Sequence, residues 1–224
     1  MSSPPADPRR TKRPSGRAWL LPAGLVLLAL GVRALYLWQA SANPTFFAPA
    51  IDAARYDELS RQLVASGRLE AGLFWQPSFY PLWLALVYSV FGPSLLAAKI
   101  LGAGFAGLTC FLTYRLGLRL GGRAVAAGAA GIHALFGPAV FFESELLGAG
   151  FAMLFLVATV LCAIWAEERR RASAFLLAGL LGGLAFWCRP ELGLAVGLVA
   201  IWLTWRIWRN SASEGAGANA GEGA

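Results

Sequence analysis

Long apolar runs separated by short polar segments are the feature that most constrains this 224-residue chain. A membrane-spanning helix needs about 17 to 25 mainly apolar residues, because the hydrocarbon core of a bilayer is roughly 30 Å thick. The runs that approach or exceed this length cover residues 19–38, 95–114, 124–140, 146–165, 172–188 and 192–208. Because 58% of the residues are hydrophobic and only 14% are charged, the sequence predicts an all-α integral membrane protein with about six transmembrane helices.

A seventh apolar run, residues 79–91, is too short to span, since at about 1.5 Å per residue it reaches only about 20 Å. We expect it to lie at the outer interface or to dip into it. With six crossings, the basic clusters at 9–17, 115–123, 169–171 and 206–209 all lie on the cytoplasmic side, as the positive-inside rule requires. A seventh crossing would export two of them. We therefore predict a multi-pass protein of the plasma or inner membrane with both termini in the cytoplasm.

Low-complexity segments flank the apolar region. Residues 1–17 are rich in Pro, Ser and Arg and predict a disordered cytoplasmic tail, and residues 210–224, rich in Gly, Ala, Ser and Glu, predict a second one. The transmembrane domain then covers 18–209, with an outer loop at 39–94. A cleavable signal peptide is the alternative for residues 19–38, but its apolar region would be shorter and would seldom carry a residue such as Arg33. We favour a retained span.

The outer loop after the first span carries Asp52 and an amphipathic segment at 56–66. Tyr56 and Leu59 share one side of that helical pattern, whereas Asp57 and Arg61 share the other. Such a helix lies flat on a membrane and would hold Asp52 where a sugar and a lipid headgroup meet. The alternative, that Asp52 caps the helix or is merely solvated, stays open.

A second acidic pair, Glu143 and Glu145, lies between the third and fourth predicted spans, in what we expect to be a tight loop on the same outer side. Acids among apolar residues cost desolvation energy unless water, a cation or a polar ligand reaches them. They also fit ordinary charges at a helix start. Lys99 and Arg189 are expected near the same interface and are suited to hold a lipid phosphate.

The remaining polar residues predict structural roles. We expect Arg33 to snorkel to the headgroups and His133 to be structural. Cys110, Cys162 and Cys188 show no C-x-x-C spacing, so neither a metal site nor a disulfide framework is predicted. No Walker A, H-E-x-x-H or G-x-S-x-G motif occurs, which leaves nucleotide hydrolysis and the common protease and lipase machineries without support. The net charge of +7 orients helices and does not indicate nucleic-acid binding.

Four motifs follow one another along the chain. They are Asp52-x-x-x-Tyr56 with Leu63, Ala65 and Gly67; Gln76-Pro77-Ser78-Phe79-Tyr80-Pro81-Leu82 with Phe91-Gly92; Ser144-Glu145; and Gly182-Gly183-Leu184-Ala185 with Arg189-Pro190. Their order and spacing, between residue 19 and about residue 208, resemble GT-C superfamily membrane glycosyltransferases. The resemblance is to the dolichyl-phosphate-mannose protein mannosyltransferase-like and RgtA/B/C/D-like group in particular.

The resemblance implies an enzyme that moves a sugar from a polyprenyl-phosphate donor to a hydroxyl of a glycan, lipid or protein acceptor at the outer membrane face. By that similarity, Asp52 is the catalytic carboxylate and Glu145 a second acid that helps to arrange donor or acceptor. Lys99 and Arg189 contact the polyprenyl phosphate. The other predicted substrate-binding residues are Tyr56, Asp57 and Glu143. No particular cofactor is predicted, and a divalent cation is possible.

The chain also departs from the family pattern. Ala53 follows Asp52 where the family usually has a second acid, so that role passes to Asp57 or Glu58. Lys99 stands where Arg is usual, which keeps the charge but loses bidentate phosphate binding. Family members commonly continue well beyond this length, so we expect a truncated, N-terminal part of such an enzyme. The alternative function is a noncatalytic membrane subunit that binds polyprenyl-phosphate lipid or assembles with a second membrane subunit.

Overall fold

The computed structural model describes residues 19–68 and 76–221, with side chains described up to residue 210. These residues form eight α-helices: α1 (Leu20–Ala40), α2 (Asp52–Ser66), α3 (Phe79–Phe91), α4 (Leu95–Leu135), α5 (Gly137–Ser144), α6 (Ala149–Arg169), α7 (Ala172–Cys188) and α8 (Gly193–Gly221). Short 3-10 turns cover Pro44–Phe47 and Pro190–Leu192. No strand occurs in these two ranges, and the predicted all-α fold is confirmed. The predicted tail at 1–17 lies outside the described residues.

Helix lengths agree with a membrane protein. Leu20–Ala40, Leu95–Leu135, Ala149–Arg169 and Pro190–Asn210 are each long and apolar enough to cross a bilayer. The shorter apolar helices are α3 and α7. α7 has 17 residues, which is the lower limit for a span, whereas α3 has 13 residues and fits the predicted interfacial helix.

α4 covers the predicted span 95–114 and the first part of the predicted span 124–140, because it folds back on itself at Gly121-Gly122. Gly122 has φ 76° and ψ −165°, a backbone conformation that glycine adopts without steric cost. Beyond this break the chain returns along its first half, since Cys110 Sγ donates a hydrogen bond to Ala130 O at 3.6 Å. The two antiparallel arms, residues 95–120 and 123–135, correspond to the predicted spans 95–114 and 124–140.

The end of the second arm differs from the prediction. The helix ends at Leu135, Phe136 is extended (φ −70°, ψ 108°), and α5 follows with Pro138 in its first turn. Proline lacks the N–H that a continuing helix needs but fits the first turn of a new one. The prediction of one span over 124–140 followed by a tight acidic loop is therefore wrong, because Glu143 lies on the last turn of α5 and Glu145 lies just after it.

The segment between the first two predicted spans folds into α2 and α3, which pack against each other. α2 begins at Asp52, four residues earlier than the predicted amphipathic segment, and ends where Gly67 adopts φ 65°. Tyr56 and Leu59 on its apolar side are buried. The Ser60 hydroxyl lies 2.9 Å from Pro81 O and links α2 to α3.

α8 continues to Gly221, past residue 210, where the disordered tail is predicted.

Ion pairs fix which helix ends lie together. Arg119 of α4 pairs with Glu168 of α6, and Arg206 Nε of α8 lies 2.7 Å from Glu167 Oε1 of α6; we call this the Glu167 end. At the opposite end, which we call the Glu145 end, Lys99 Nζ of α4 lies 2.8 Å from Glu145 Oε2. The predicted acidic residues Asp52, Glu143 and Glu145 all lie at the Glu145 end.

We predict that Gly117→Ala destabilises the α4 hairpin whereas Gly128→Ala does not. A Cβ at position 117 would lie 2.5 Å from Ala126 Cα, but a Cβ at position 128 meets nothing within 4 Å. Overpacking typically costs about 1–3 kcal/mol, whereas replacing an unconstrained helical glycine by alanine gains roughly 0.5–1 kcal/mol. The thermal midpoints of the two purified variants in detergent measure the difference. Equal midpoints would contradict the antiparallel packing of the two arms.

Candidate active site

A cavity of about 510 Å³ opens at the Glu145 end, between the end of α1, the turn Pro44–Phe47 and the starts of α2 and α4. Its polar lining comes from residues distant in sequence: Tyr36, Asn43, Thr45, Asp52, Lys99 and Glu145. Ala53, Phe46 and Phe141 are among its apolar lining. A concave site with a few converging polar groups is the usual form of a ligand pocket. The structure thus brings together three predicted site residues, namely Asp52, Lys99 and Glu145.

Asp52 occupies the first turn of α2, where negative charge is favourable. The N-cap position of α2 is occupied by Ile51, and no side-chain hydrogen bond caps the helix there, so Asp52 is not the N-cap residue. Its side chain is exposed, which agrees with the other alternative, that it is solvated. Ile51, the residue before it, has φ 55°, a value rarely adopted by a β-branched residue. This conformation turns the chain into α2 directly at the cavity wall.

Glu145 and Lys99 form the charged floor of the cavity. Lys99 Nζ lies 2.8 Å from Glu145 Oε2, and the Tyr36 hydroxyl donates to Glu145 Oε1 at 3.3 Å. Lys99 is only 3% exposed, and its ammonium lies 4.0 Å from the centroid of the Phe46 ring, a cation–π distance. The cation is therefore held between a carboxylate and an aromatic face.

The predicted replacements for the missing second acid do not reach the cavity. Asp57 accepts a hydrogen bond from the Tyr88 hydroxyl and pairs with Arg61 Nε at 3.0 Å. Glu58 pairs with Arg55 at 2.7 Å. Both acids are thus held by neighbours on α2 and α3.

Tyr56 belongs to the core and does not line the cavity. Its ring lies 5.4 Å from that of Tyr80, centroid to centroid. Burial raises the pKa of the Tyr56 hydroxyl, the nearby Asp52 carboxylate raises it further, and Arg189 opposes these effects. Burial and then the hydrogen bond to Asp57 raise the pKa of Tyr88. Both hydroxyls therefore stay protonated at neutral pH and act as hydrogen-bond donors or acceptors.

Glu143 and Arg189 line a different cavity, of about 270 Å³, together with Phe136 and Met153. Arg189 is exposed. Glu143 is buried and lies 2.7 Å from Arg33 Nη2. Arg33 itself is 0% exposed, so the expectation that it snorkels to the headgroups is wrong. The structural role predicted for His133 fits its buried position.

Sequence reasoning missed the turn that forms one cavity wall. Asn43 Oδ1 accepts hydrogen bonds from Thr45 N at 3.0 Å and Thr45 Oγ1 at 2.8 Å, and Pro44 occupies the first turn position. An Asn-Pro-Thr sequence is a recognisable cap for a helical turn. This motif could have indicated an ordered turn at the cavity. Tyr36, three residues after Arg33 on a helix, was the other polar group in an apolar span.

Within 19–68 and 76–221, no group of three or more His, Cys, Asp or Glu side chains is placed to hold a metal ion. Asp52 and Glu145 are the two carboxylates that line the larger cavity. The divalent cation predicted as possible stays a prediction.

Residues 76–218 match the family model described as dolichyl-phosphate-mannose-protein mannosyltransferase. No curated protein and no solved structure shows significant similarity to the chain. The match includes Lys99, Glu145 and Arg189 but begins after Asp52, Tyr56 and Asp57, so it starts later than the resemblance predicted from residue 19. It nevertheless covers more than half of the sequence. The chain therefore belongs to the dolichyl-phosphate-mannose-protein mannosyltransferase family, a group of GT-C-type membrane glycosyltransferases.

Proposed function

We propose that this protein transfers a sugar from a polyprenyl-phosphate donor to an acceptor hydroxyl, and that the cavity containing Asp52 is its catalytic site. One observation carries the proposal. A carboxylate without a hydrogen-bond or ion-pair partner in the described chain, Asp52, lines the same cavity as a nearly buried cation, Lys99. The family supports glycosyl transfer as the reaction class.

Lys99 would hold the phosphate of the donor. An ammonium group has three N–H donors, and the described contacts direct one of them to Glu145. The others are then available to a phosphate oxygen that enters the cavity. We assign this role to Lys99 and not to Arg189, because Arg189 lines the other cavity. Glu145, held by Lys99 and Tyr36, would orient the ammonium.

Asp52 would act as the general base. As the acceptor oxygen forms its bond to the anomeric carbon, the carboxylate takes the hydroxyl proton, and the bond from that carbon to the phosphate oxygen breaks. The phosphate leaves with the electron pair, stabilised by Lys99. Attack opposite the leaving group inverts the anomeric carbon. A positioned base typically contributes 10²- to 10⁴-fold to such a step.

We propose that the Glu145 end faces the outside of a plasma or inner membrane and that both termini are cytoplasmic. Arginines concentrate at the other end: Arg115, Arg119, Arg169, Arg170, Arg171, Arg206 and Arg209. Basic residues near the ends of spans favour the cytoplasmic side.

Cysteine labelling tests this orientation. Ala50 and Ser173 are exposed near opposite ends, so each is replaced by Cys in a background in which Cys110, Cys162 and Cys188 are changed to Ala. A membrane-impermeant maleimide on intact cells is expected to label position 50 and to spare position 173. Labelling of position 173 alone would reverse the proposed orientation.

Replacing Asp52 with Asn is expected to reduce transfer by about 10²- to 10⁴-fold, because the amide cannot accept the hydroxyl proton. The substitution is nearly isosteric and Asp52 is exposed, so membrane insertion should be unchanged. Transfer from a radiolabelled polyprenyl-phosphate sugar in isolated membranes provides the measurement. Glu58→Gln, on the exposed face of the same helix, is the matched control and should retain activity. Wild-type transfer by the Asp52 variant would reject the assignment.

A noncatalytic subunit that binds polyprenyl-phosphate lipid or assembles with a second membrane protein is the alternative. One observation favours it. The candidate span Pro190–Asn210 buries none of its most apolar window inside the described chain, so its apolar surface is open to lipid or to another membrane helix.

Binding and transfer measured together separate the two functions. If the protein is an enzyme, Asp52→Asn should bind a fluorescent polyprenyl phosphate normally yet fail to transfer sugar. Lys99→Met should bind the lipid with a dissociation constant roughly tenfold higher or more, because a charge-assisted contact is lost. A noncatalytic subunit would show lipid binding that depends on Lys99 but no transfer by the wild-type chain. Arg55→Met, which removes an exposed cation from α2, controls for nonspecific loss of charge.

A further inference from the structure

Arg33 is a fully buried charged side chain in the middle of the apolar helix α1. A guanidinium remains charged in proteins, and a charge among apolar helices persists only where partners compensate its desolvation. The identity of those partners shows what the residue holds in place.

Two of the partners of Arg33 are backbone carbonyls at the end of the second arm of α4. Arg33 Nη1 donates to Ala134 O at 2.6 Å, and Nη2 donates to His133 O at 3.1 Å. Both carbonyls belong to the last turn before the helix ends at Leu135, where carbonyls lack partners within the helix. Arg33 therefore caps this helix end from a neighbouring helix.

Within α1, Nη1 also donates to Ala29 O at 3.3 Å. The remaining partner is the carboxylate of Glu143, on the far side of the break at Phe136. Glu143 Oε2 accepts from Arg33 Nε at 3.0 Å and from Nη2 at 2.7 Å. One guanidinium fork thus binds the end of the second arm of α4 and the last turn of α5 at the same time. The break between these helices is held at one angle.

Neighbouring helices pack closely against Glu143 at two glycines. A Cβ at Gly102 would lie 3.2 Å from Glu143 O, and one at Gly150 would lie 3.1 Å from Glu143 Cγ. The next residue, Ser144, is fully buried, as is Leu146 at 1% exposure. Glu145 lies between these two buried residues, so its backbone position is fixed. Its carboxylate then contacts Lys99 and Tyr36.

We infer that Arg33 and Glu143 are positioning residues for the Lys99–Glu145 pair. Neither residue lines the cavity that contains Asp52, so they act on it through the backbone of residues 143–146. Glu143, predicted above to bind substrate, is thereby assigned to the support of Glu145. The effect of this support on sugar transfer rests on the proposed function, but its effect on cavity geometry does not.

The test compares the geometry of the cavity with and without the ion pair. Cysteines at Ala40 and Leu147, which line the cavity, are cross-linked by a short bis-methanethiosulfonate reagent in a background with the three native cysteines replaced by Ala. Arg33→Met or Glu143→Leu alone leaves an unpaired buried charge and should accumulate poorly. The double variant R33M/E143L removes both charges, so that no unpaired buried charge remains.

We expect the double variant to accumulate with a lowered thermal midpoint, because the carbonyls of His133 and Ala134 lose their donor. It should cross-link about tenfold more slowly or worse, since a small displacement of a held group lowers reaction rates steeply. The double variant R206M/E167L removes a matched ion pair at the opposite end and should cross-link at the wild-type rate. If R33M/E143L does not accumulate, Arg33→Lys replaces it. Lysine keeps the charge but not the fork that binds Glu143 and both carbonyls.

A wild-type cross-linking rate in whichever of these two variants accumulates would overturn the inference. The proposed function is judged separately in the same preparations. Slow cross-linking of the variant together with an inactive wild-type protein would retain the positioning role and reject sugar transfer. A parallel fall in cross-linking and in transfer by the variant would support both.

Discussion

Charge compensation between distant helices is the constraint on which the arrangement of this membrane protein depends. An ionised side chain in an apolar bundle costs several kcal/mol unless an opposite charge and hydrogen-bonding groups reach it. Arg33 satisfies this requirement with Glu143 and two carbonyls, and Lys99 satisfies it with Glu145. Each pair joins residues far apart in the chain. The ion pairs thereby fix the relative positions of the helices at the end that carries the cavity.

The cavity and the family match contribute different information. The family model covers Lys99 and Glu145, whereas Asp52 enters the site only through the fold, because α2 begins at the cavity wall. A catalytic proposal therefore needs both. Membership gives the class of reaction, and the geometry selects one carboxylate and one cation from several acidic and basic residues at the same end.

Sequence reasoning predicted the parts of this structure that depend on local composition. The positions of most apolar spans, the short α3 and the amphipathic α2 follow from run length and periodicity, and the helices agree with them. The span predicted at 124–140 is the exception, because its helix ends at Leu135. Topology predicted that Asp52, Glu143 and Glu145 lie on one side of the bundle, near Lys99 and Arg189. Of these, Asp52, Glu145 and Lys99 line one cavity, whereas Glu143 and Arg189 line another. The turn at Gly121-Gly122 also lies between two predicted spans.

The errors involve partners that no local pattern encodes. Arg33 and Glu143 are 110 positions apart, and periodicity does not reveal contacts at such a separation. The sequence therefore indicated an arginine near the membrane surface and not a buried guanidinium paired with a glutamate. From the sequence, Asp57 is a candidate for the second acid of the family motif, but the Tyr88 hydroxyl, on another helix, donates a hydrogen bond to it. The break at Phe136 was signalled by Pro138, but the apolar residues around it favoured an uninterrupted span.

The wall formed by residues 43–51 differs in kind from the rest of the cavity. Its shape depends on a capped turn, two prolines and one unusual backbone angle at Ile51, all of them short-range features. Substitutions at its exposed positions can reshape the opening while the helix packing stays intact, whereas Phe46, which packs against Leu37 and Ala103, ties this wall to α1 and α4.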